Sequence, residues 1–450
     1  MTATNLDLVR IPHDRPLACS FAQERIWRSS RTAEGSIGYT LTSEMRMRGP
    51  LEVDALRSAI QHAVDRQEPL RTTFVEREGA PLQVVGTPTE IEMPEIELDG
   101  SRDPDAEVEE ILRHRALESF DLEAGPLLRL WLARVGDDDH RLLRLNHHIV
   151  TDWVSWRVFF TDVARAYLAV LRGEPMPETI DGPQYADFAA WERERLHPDG
   201  PLYRDQLEWW RRAFESECPA LDLPFSRPTP VPDAPETDSA VEWEIEPGEA
   251  DALGEMADRA GTTSFVIRLA AFSALVGLST GQEEMAIGTY AMNRPPGESQ
   301  SMFGFFSNPI TLILRFDPKL SFRRWLARVQ EVVTETKARS EIPYDLLCEE
   351  LHRSGSPPPP EMRAIFHIRG RWPPLESAGI EFGVPQYTKQ GMPWGFSLVA
   401  HPYRQREWCE AGFDARMYDP DGVREFAERH ATLVQRVVAK PGRRLRRLRL

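Results

Sequence analysis

Two adjacent imidazoles with a carboxylate four residues after the second give this chain its densest group of reactive side chains: Asn146-His147-His148-Ile149-Val150-Thr151-Asp152-Trp153. An imidazole exchanges protons near neutral pH, so it can take a proton from an attacking nucleophile or hold that nucleophile by a hydrogen bond. The apolar runs 127–135 and 141–147, separated by Gly136-Asp137-Asp138-Asp139, predict a hairpin that delivers the pair to the end of a strand. Side chains alternate along a strand, so Leu143, Leu145 and His147 share one face and Arg144, Asn146 and His148 the other. The two histidines therefore have different tasks. Beyond them Thr151 or Asp152 can cap a helix on which Trp156, Phe159, Phe160, Val163 and Tyr167 recur at helical spacing as far as Gly173. That puts the Asp152 carboxylate at the positive end of a helix, able to reach back to the strand.

The length of 450 residues favours two lobes of about 200 residues each over one core. A net charge of -17 argues against a nucleic-acid or anionic-membrane partner, since those need clustered Lys and Arg. Arg443, Arg444, Arg446, Arg447 and Arg449 form a basic tail that reads as a solvated end. Residues 1–8 lack the charged start and apolar core of a secretion signal, and no apolar run is long enough to span a bilayer. Cys19, Cys218, Cys348 and Cys409 have no paired spacing and read as reduced thiols of a cytoplasmic protein.

Along the chain, Ser20 can cap a helix carrying Phe21, Ile26 and Trp27, and a strand is expected over 39–48. Residues 52–66 read as a helix that Pro69 ends, with Arg71 at the junction to the next strand. Pro228, Pro230, Pro232 and Pro235 mark an irregular stretch before Asp238. The expected division is an N-terminal lobe over 1–178, a connection over 179–239 with two short helices, and a C-terminal lobe over 240–450. In the last, helices are expected from about Glu249, over 264–278, 322–337 and 421–438, with strands over 240–245, 285–290 and 310–316. Strands alternate with helices in both halves, which indicates α/β or α+β architecture. Adjacent strand residues face apart and no third ligand is suitably spaced, which speaks against a metal site; a serine hydrolase lacks its GxSxG elbow.

The chain resembles the condensation domains of non-ribosomal peptide synthetases. His147-His148-Ile149-Val150-Thr151-Asp152 matches the family's HHxxxDG core through the aspartate, and six other segments follow in the family's order: SFAQERIW at 20–27, EPLRTTF at 68–74, YADFAAW at 185–191, IGTYAMNR at 287–294, FGFFSNP at 303–309 and IPYDLL at 342–347. The resemblance implies an α+β fold of two chloramphenicol-acetyltransferase-like lobes, set as a V around a central tunnel. It implies an acyltransferase with no permanently bound cofactor and no metal, to which two thioesters, donor and acceptor, are presented from opposite faces on the phosphopantetheine of peptidyl carrier proteins. The product is an amide or an ester. On this reading His148 is the catalytic imidazole, while His147 and Asp152 support the turn and Arg71 is the candidate partner of Asp152. Ser307 and Asn308 are candidates to line the tunnel. The domain acts alone or as part of a larger synthetase.

One position departs from the pattern: Trp153 stands where the family has glycine. Its indole can narrow the acceptor channel, reshape acceptor choice or abolish turnover, or it can turn into the helix packing beside Trp156. A blocked channel would leave a non-catalytic recruitment module as the alternative to an enzyme. Val154-Ser155-Trp156-Arg157 is also similar to the epimerisation relatives, but the Glu-Gly-His segment of those enzymes is not found.

Overall fold

A computed structural model describes residues 8–178, 182–216, 218–231, 239–295, 297–370, 372, 375–387, 395–403 and 406–448. Residues 1–7, Pro232, Pro235 and Asp238 of the proline run, and Arg449 of the basic tail lie outside them. Two compact units emerge: Met1–His197 with Met292–Ser307 and Trp372–Gln390, and Pro198–Ala291 with Asn308–Arg371 and Gly391–Leu450. The lobes are thus not the contiguous pieces expected. The helix at 185–195 belongs to the first unit, the helix at 201–213 to the second, and two later segments return to the first.

In the first unit, helix α1 (Phe21–Ser29) starts at the expected Ser20, whose hydroxyl accepts from Gln23 N while the Gln23 side chain accepts from Ser20 N. Strand β1 (Thr40–Arg48) and helix α2 (Val53–Arg66) follow. Pro69 lacks an amide hydrogen and falls in a short 3-10 turn, Glu68–Arg71, which separates α2 from the strand Thr72–Arg77. The predicted hairpin is β2 (Leu128–Gly136) and β3 (Asp139–His147), and it leads into α3 (Trp153–Arg172), which ends at Gly173 in the left-handed region with φ 64. Helix α4 (Tyr185–Arg195) follows.

Strand β3 lies between β1 and β2, with Thr40 opposite His147 and Leu128 opposite Asn146. The sheet continues on the far side of β1 with Ile380–Phe382 and Leu375–Ser377, while Gln386–Tyr387 also pairs with β1. These pairings are the physical reason the segment 372–390 belongs to this unit. Leu143 and Leu145 point to one core with Phe120, Trp131, Ile149 and Val150, as strand parity requires.

The second unit has a six-stranded sheet in the order Ser307–Arg315, Glu284–Met292, Ala364–Ile368, Phe396–Tyr403, Arg406–Phe413, Ser239–Ile245. Helix α5 (Ser264–Thr280) is buried from Val266 through Gly277, as its all-round apolarity predicts. It packs with α6 (Phe322–Lys337) and α7 (Pro420–Ala439) around Phe272, Trp325 and Phe426. No single helix among the described residues is long and apolar enough to cross a membrane.

Candidate active site

The site begins where β3 ends. His147 is fully buried on the core face, and its two nitrogens are spent: Ile149 N donates to Nδ1 at 3.3 Å, and Nε2 lies 3.3 Å from Ser30 Oγ. Because Nδ1 accepts, Nε2 carries the hydrogen. Burial, followed by the neighbouring His148, pushes its pKa down to about 3, so it is a neutral structural residue at any working pH.

His148 turns the other way and is half-buried. Its Nδ1 lies 2.7 Å from the carbonyl oxygen of Thr151, and its ring packs edge-on to Phe305 with centroids 4.7 Å apart. A carbonyl can only accept, so Nδ1 bears the proton and the lone pair of the neutral ring lies on Nε2, which has no hydrogen-bond partner among the described residues. Desolvation lowers the pKa of this ring. The Thr151 carbonyl works against that effect, and the charge of Arg25 adds to it. Arg25 lies over the Phe305 ring, 5.9 Å from its centroid. The result is a fixed, neutral imidazole with one free basic nitrogen.

Asp152 is the N-cap of α3 and is almost wholly buried. Its Oδ1 accepts from Ser155 N at 2.8 Å and from an Arg294 NH2 group at 2.9 Å, and Oδ2 accepts from Phe306 N at 3.2 Å. The other terminal nitrogen of Arg294 donates to the carbonyls of Ser299 and Met302, both at 2.8 Å, and the guanidinium stacks on Phe306 at 3.9 Å. Ser155 Oγ sits at the centre, 2.8 Å from Asp152 Oδ1 and 2.7 Å from the carbonyl of Gly304, while receiving Gly304 N at 3.0 Å. The carboxylate thus locks the turn after His148 to the segment 299–306.

The expected partner, Arg71, is elsewhere. It donates to the carbonyl of Gly86 and lies 3.6 Å from Glu68, in the turn after α2, where it braces that turn. Arg294, which does pair with Asp152, stands in the IGTYAMNR segment, but a contact across 142 residues has no local signature. A buried carboxylate needs a cation, and only the fold says which of many arginines supplies it.

Asn308 is also used internally. Its amide donates to the carbonyls of Ser340 and Ile342 at 2.9 and 3.0 Å and accepts from Tyr344 N at 2.9 Å, so it braces the segment ahead of the helix Tyr344–Arg353. Ser307 is half-buried, its hydroxyl 3.3 Å from the sulfur of Met292. Trp153 is the first residue of α3, and its indole packs against Trp372, with centroids 5.3 Å apart. Trp156 packs instead with Phe159, Phe160 and Phe303, under the Arg144 guanidinium.

The model of the Condensation domain family matches residues 14–450. The chain belongs to the condensation domain family. Among its curated relatives, chondramide synthase cmdD of Chondromyces crocatus is 32% identical over 343 residues, which cover 76% of this chain and 9% of the relative. Phosphinothricin tripeptide synthetase PhsC of Streptomyces viridochromogenes is 31% identical over 448 residues, covering 95% of this chain and 40% of the relative. The chain therefore spans a minor part of these synthetases. Its fold is shared with the first condensation domain of the calcium-dependent antibiotic synthetase, at TM-score 0.83 and 19% identity over 97% of this chain and 99% of that one. It is likewise shared with the X-domain from teicoplanin biosynthesis, at TM-score 0.81 and 24% identity over 99% and 100%. The mixed helix-and-sheet class expected from the motifs agrees with these likenesses.

Proposed function

We propose that this condensation domain joins a carrier-bound acyl or aminoacyl thioester to an amine or hydroxyl acceptor, forming an amide or an ester within a non-ribosomal peptide synthetase. One observation carries the reading: His148 Nδ1 is fixed on the Thr151 carbonyl, so Nε2 keeps its lone pair for substrate. The acceptor nitrogen or oxygen attacks the thioester carbonyl, a C–N or C–O bond forms and the C–S bond breaks. Nε2 accepts the acceptor's proton or a hydrogen bond from it, and the proton leaves finally with the thiol. Holding both reactants in register supplies much of the rate, with up to about 7–11 kcal/mol available from proximity. Asp152, Arg294 and Ser155 act by holding the turn. Asn308 spends its amide on the backbone and is not an oxyanion donor in this scheme.

The partners are donor and acceptor carrier proteins, with the substrates on their phosphopantetheine arms. Trp153 turned against Trp372 favours a working site over a blocked recruitment module. The test incubates an acyl-loaded donor carrier with candidate acceptors and compares the wild type with His148→Ala and Trp153→Gly. Wild type and Trp153→Gly should both form product and His148→Ala should not. Unchanged product from His148→Ala would overturn the assignment, and product from Trp153→Gly alone would establish the blocked module.

A further inference from the structure

Residues 440–448, the described part of the basic end, are tied into the fold. Leu445 and Leu448 are buried in the core of the second unit. Backbone bonds stitch this end to the turn ahead of α6: Phe322 N donates to Arg443 O at 3.0 Å, Arg323 N to Pro441 O at 2.8 Å, Leu445 N to Leu320 O at 2.9 Å and Arg446 N to Pro318 O at 3.1 Å. A bridge between Ser321 and Arg444 completes the seam. It gathers Lys319, Arg323, Arg324, Arg443, Arg444 and Arg446 on one surface, all exposed.

The two stretches 317–328 and 440–448 contain nine Lys and Arg against one carboxylate, Asp317. Asp317 accepts from the backbone of Lys319 at 2.9 Å. None of the nine cations is in an ion pair among the described residues. This arrangement is unfavourable by itself. Helix α6 opens with Arg323 and Arg324 and has no acidic residue in its first turn, against the direction its dipole favours. The cations also repel one another, held on a fixed frame in a chain whose net charge is -17. An anionic partner offsets both costs.

We infer that this surface docks an acidic face of a carrier protein that brings substrate to the domain. The inference rests on the condensation reading above, and adds where the carrier sits and what charge it presents. A small acidic protein fits better than nucleic acid or an anionic bilayer. The patch is local and the chain is strongly acidic outside it, so an extended polyanion is repelled beyond a Debye length of about 8 Å at physiological salt.

Two charge-reversed proteins test this, Arg443→Glu/Arg446→Glu and Arg323→Glu/Arg324→Glu, each checked for an unchanged melting temperature. Donor and acceptor carriers are titrated separately, at low and high salt, with a small soluble thioester as the carrier-free control. For one of the carriers both variants should raise KM about tenfold with kcat unchanged, and added salt should raise the wild-type KM in the same direction. The small thioester should turn over equally in all three proteins. Unchanged KM for both carriers overturns the inference, as does an equal loss with the small thioester. Tighter wild-type binding to duplex DNA or phosphatidylserine vesicles than to either carrier also overturns it. If the wild type turns over neither substrate, the condensation reading fails, and calorimetric titration of carriers into wild type and variants still decides the docking surface.

Discussion

Replacing Arg294 by methionine keeps most of the apolar stem and removes the guanidinium from a site where its side chain is 3% and that of Asp152 is 1% exposed. Asp152 Oδ1 loses a charged donor at 2.9 Å, and the carbonyls of Ser299 and Met302 each lose one at 2.8 Å. Asp152 keeps Ser155 N and Phe306 N, which lessens the loss without neutralising the charge. Stripping one partner from a buried ion pair costs about 3–5 kcal/mol. Urea unfolding followed by tryptophan fluorescence should show this in the transition of the first unit, as a midpoint lowered by about 1–2 M at a slope of about 2–3 kcal/mol per M. The double variant Arg294→Met/Asp152→Asn removes the stranded charge and should be more stable than the sum of the two singles implies, by about 1 kcal/mol or more. Arg71→Met, at a half-buried turn brace, should cost under about 1.5 kcal/mol. If Arg294→Met moves the midpoint no further than Arg71→Met, or the singles simply add, then Asp152 and Arg294 are not the buried pair described.

The His148 pKa is lowered by burial, so Nε2 is free at neutral pH, and the acid limb of kcat/KM should lie below pH 6.5 with an acceptor that stays neutral over the range; a limb above 6.5 would contradict the site. His13 lies 2.9 Å from Asp187 and 2.6 Å from Glu68, and these bonds raise its pKa to about 9. Its folded-state pKa is thus above the unfolded 6.5, so its contribution is complete below pH 6.5 and lost as pH rises to about 9; the melting temperature should fall across that window in the wild type and more weakly in His13→Ala. Gly304→Ala would put a Cβ 1.9 Å from Tyr185 Cδ2. Overpacking there should cost about 1–3 kcal/mol, read by calorimetry as a melting point lower by several degrees, and an unchanged melting point would refute the close approach.

Local signals carried far in this chain. The period-two run into His147, the turn residues before it and the capping Asp152 are short-range features, and the hairpin, the helix start and the opposite orientation of the two imidazoles follow from them. Helices with a strong apolar face or all-round apolarity, such as α5 and α6, were equally plain. What the sequence hid is long-range. The short strands Ile380–Phe382 and Gln386–Tyr387 pair with β1 more than three hundred residues away, and strands of two or three residues carry little pattern of their own. Arg294 rather than Arg71 meets Asp152 because of chain routing, to which residue type is blind. Trp153 finds Trp372 for the same reason, where helical spacing alone suggested Trp156.

The threading of the first unit bears on how such domains can be recombined. A chimera that joins the first 200 residues of this chain to the remainder of a relative would cut no strand or helix, and would look safe on a linear map. It would nevertheless pair one parent's β1 with the other's edge strands, and one parent's Asp152 with the other's Arg294 equivalent. Exchange should instead follow the unit: residues up to 197 travel together with 292–307 and 372–390, so the inheritable block is three pieces of chain.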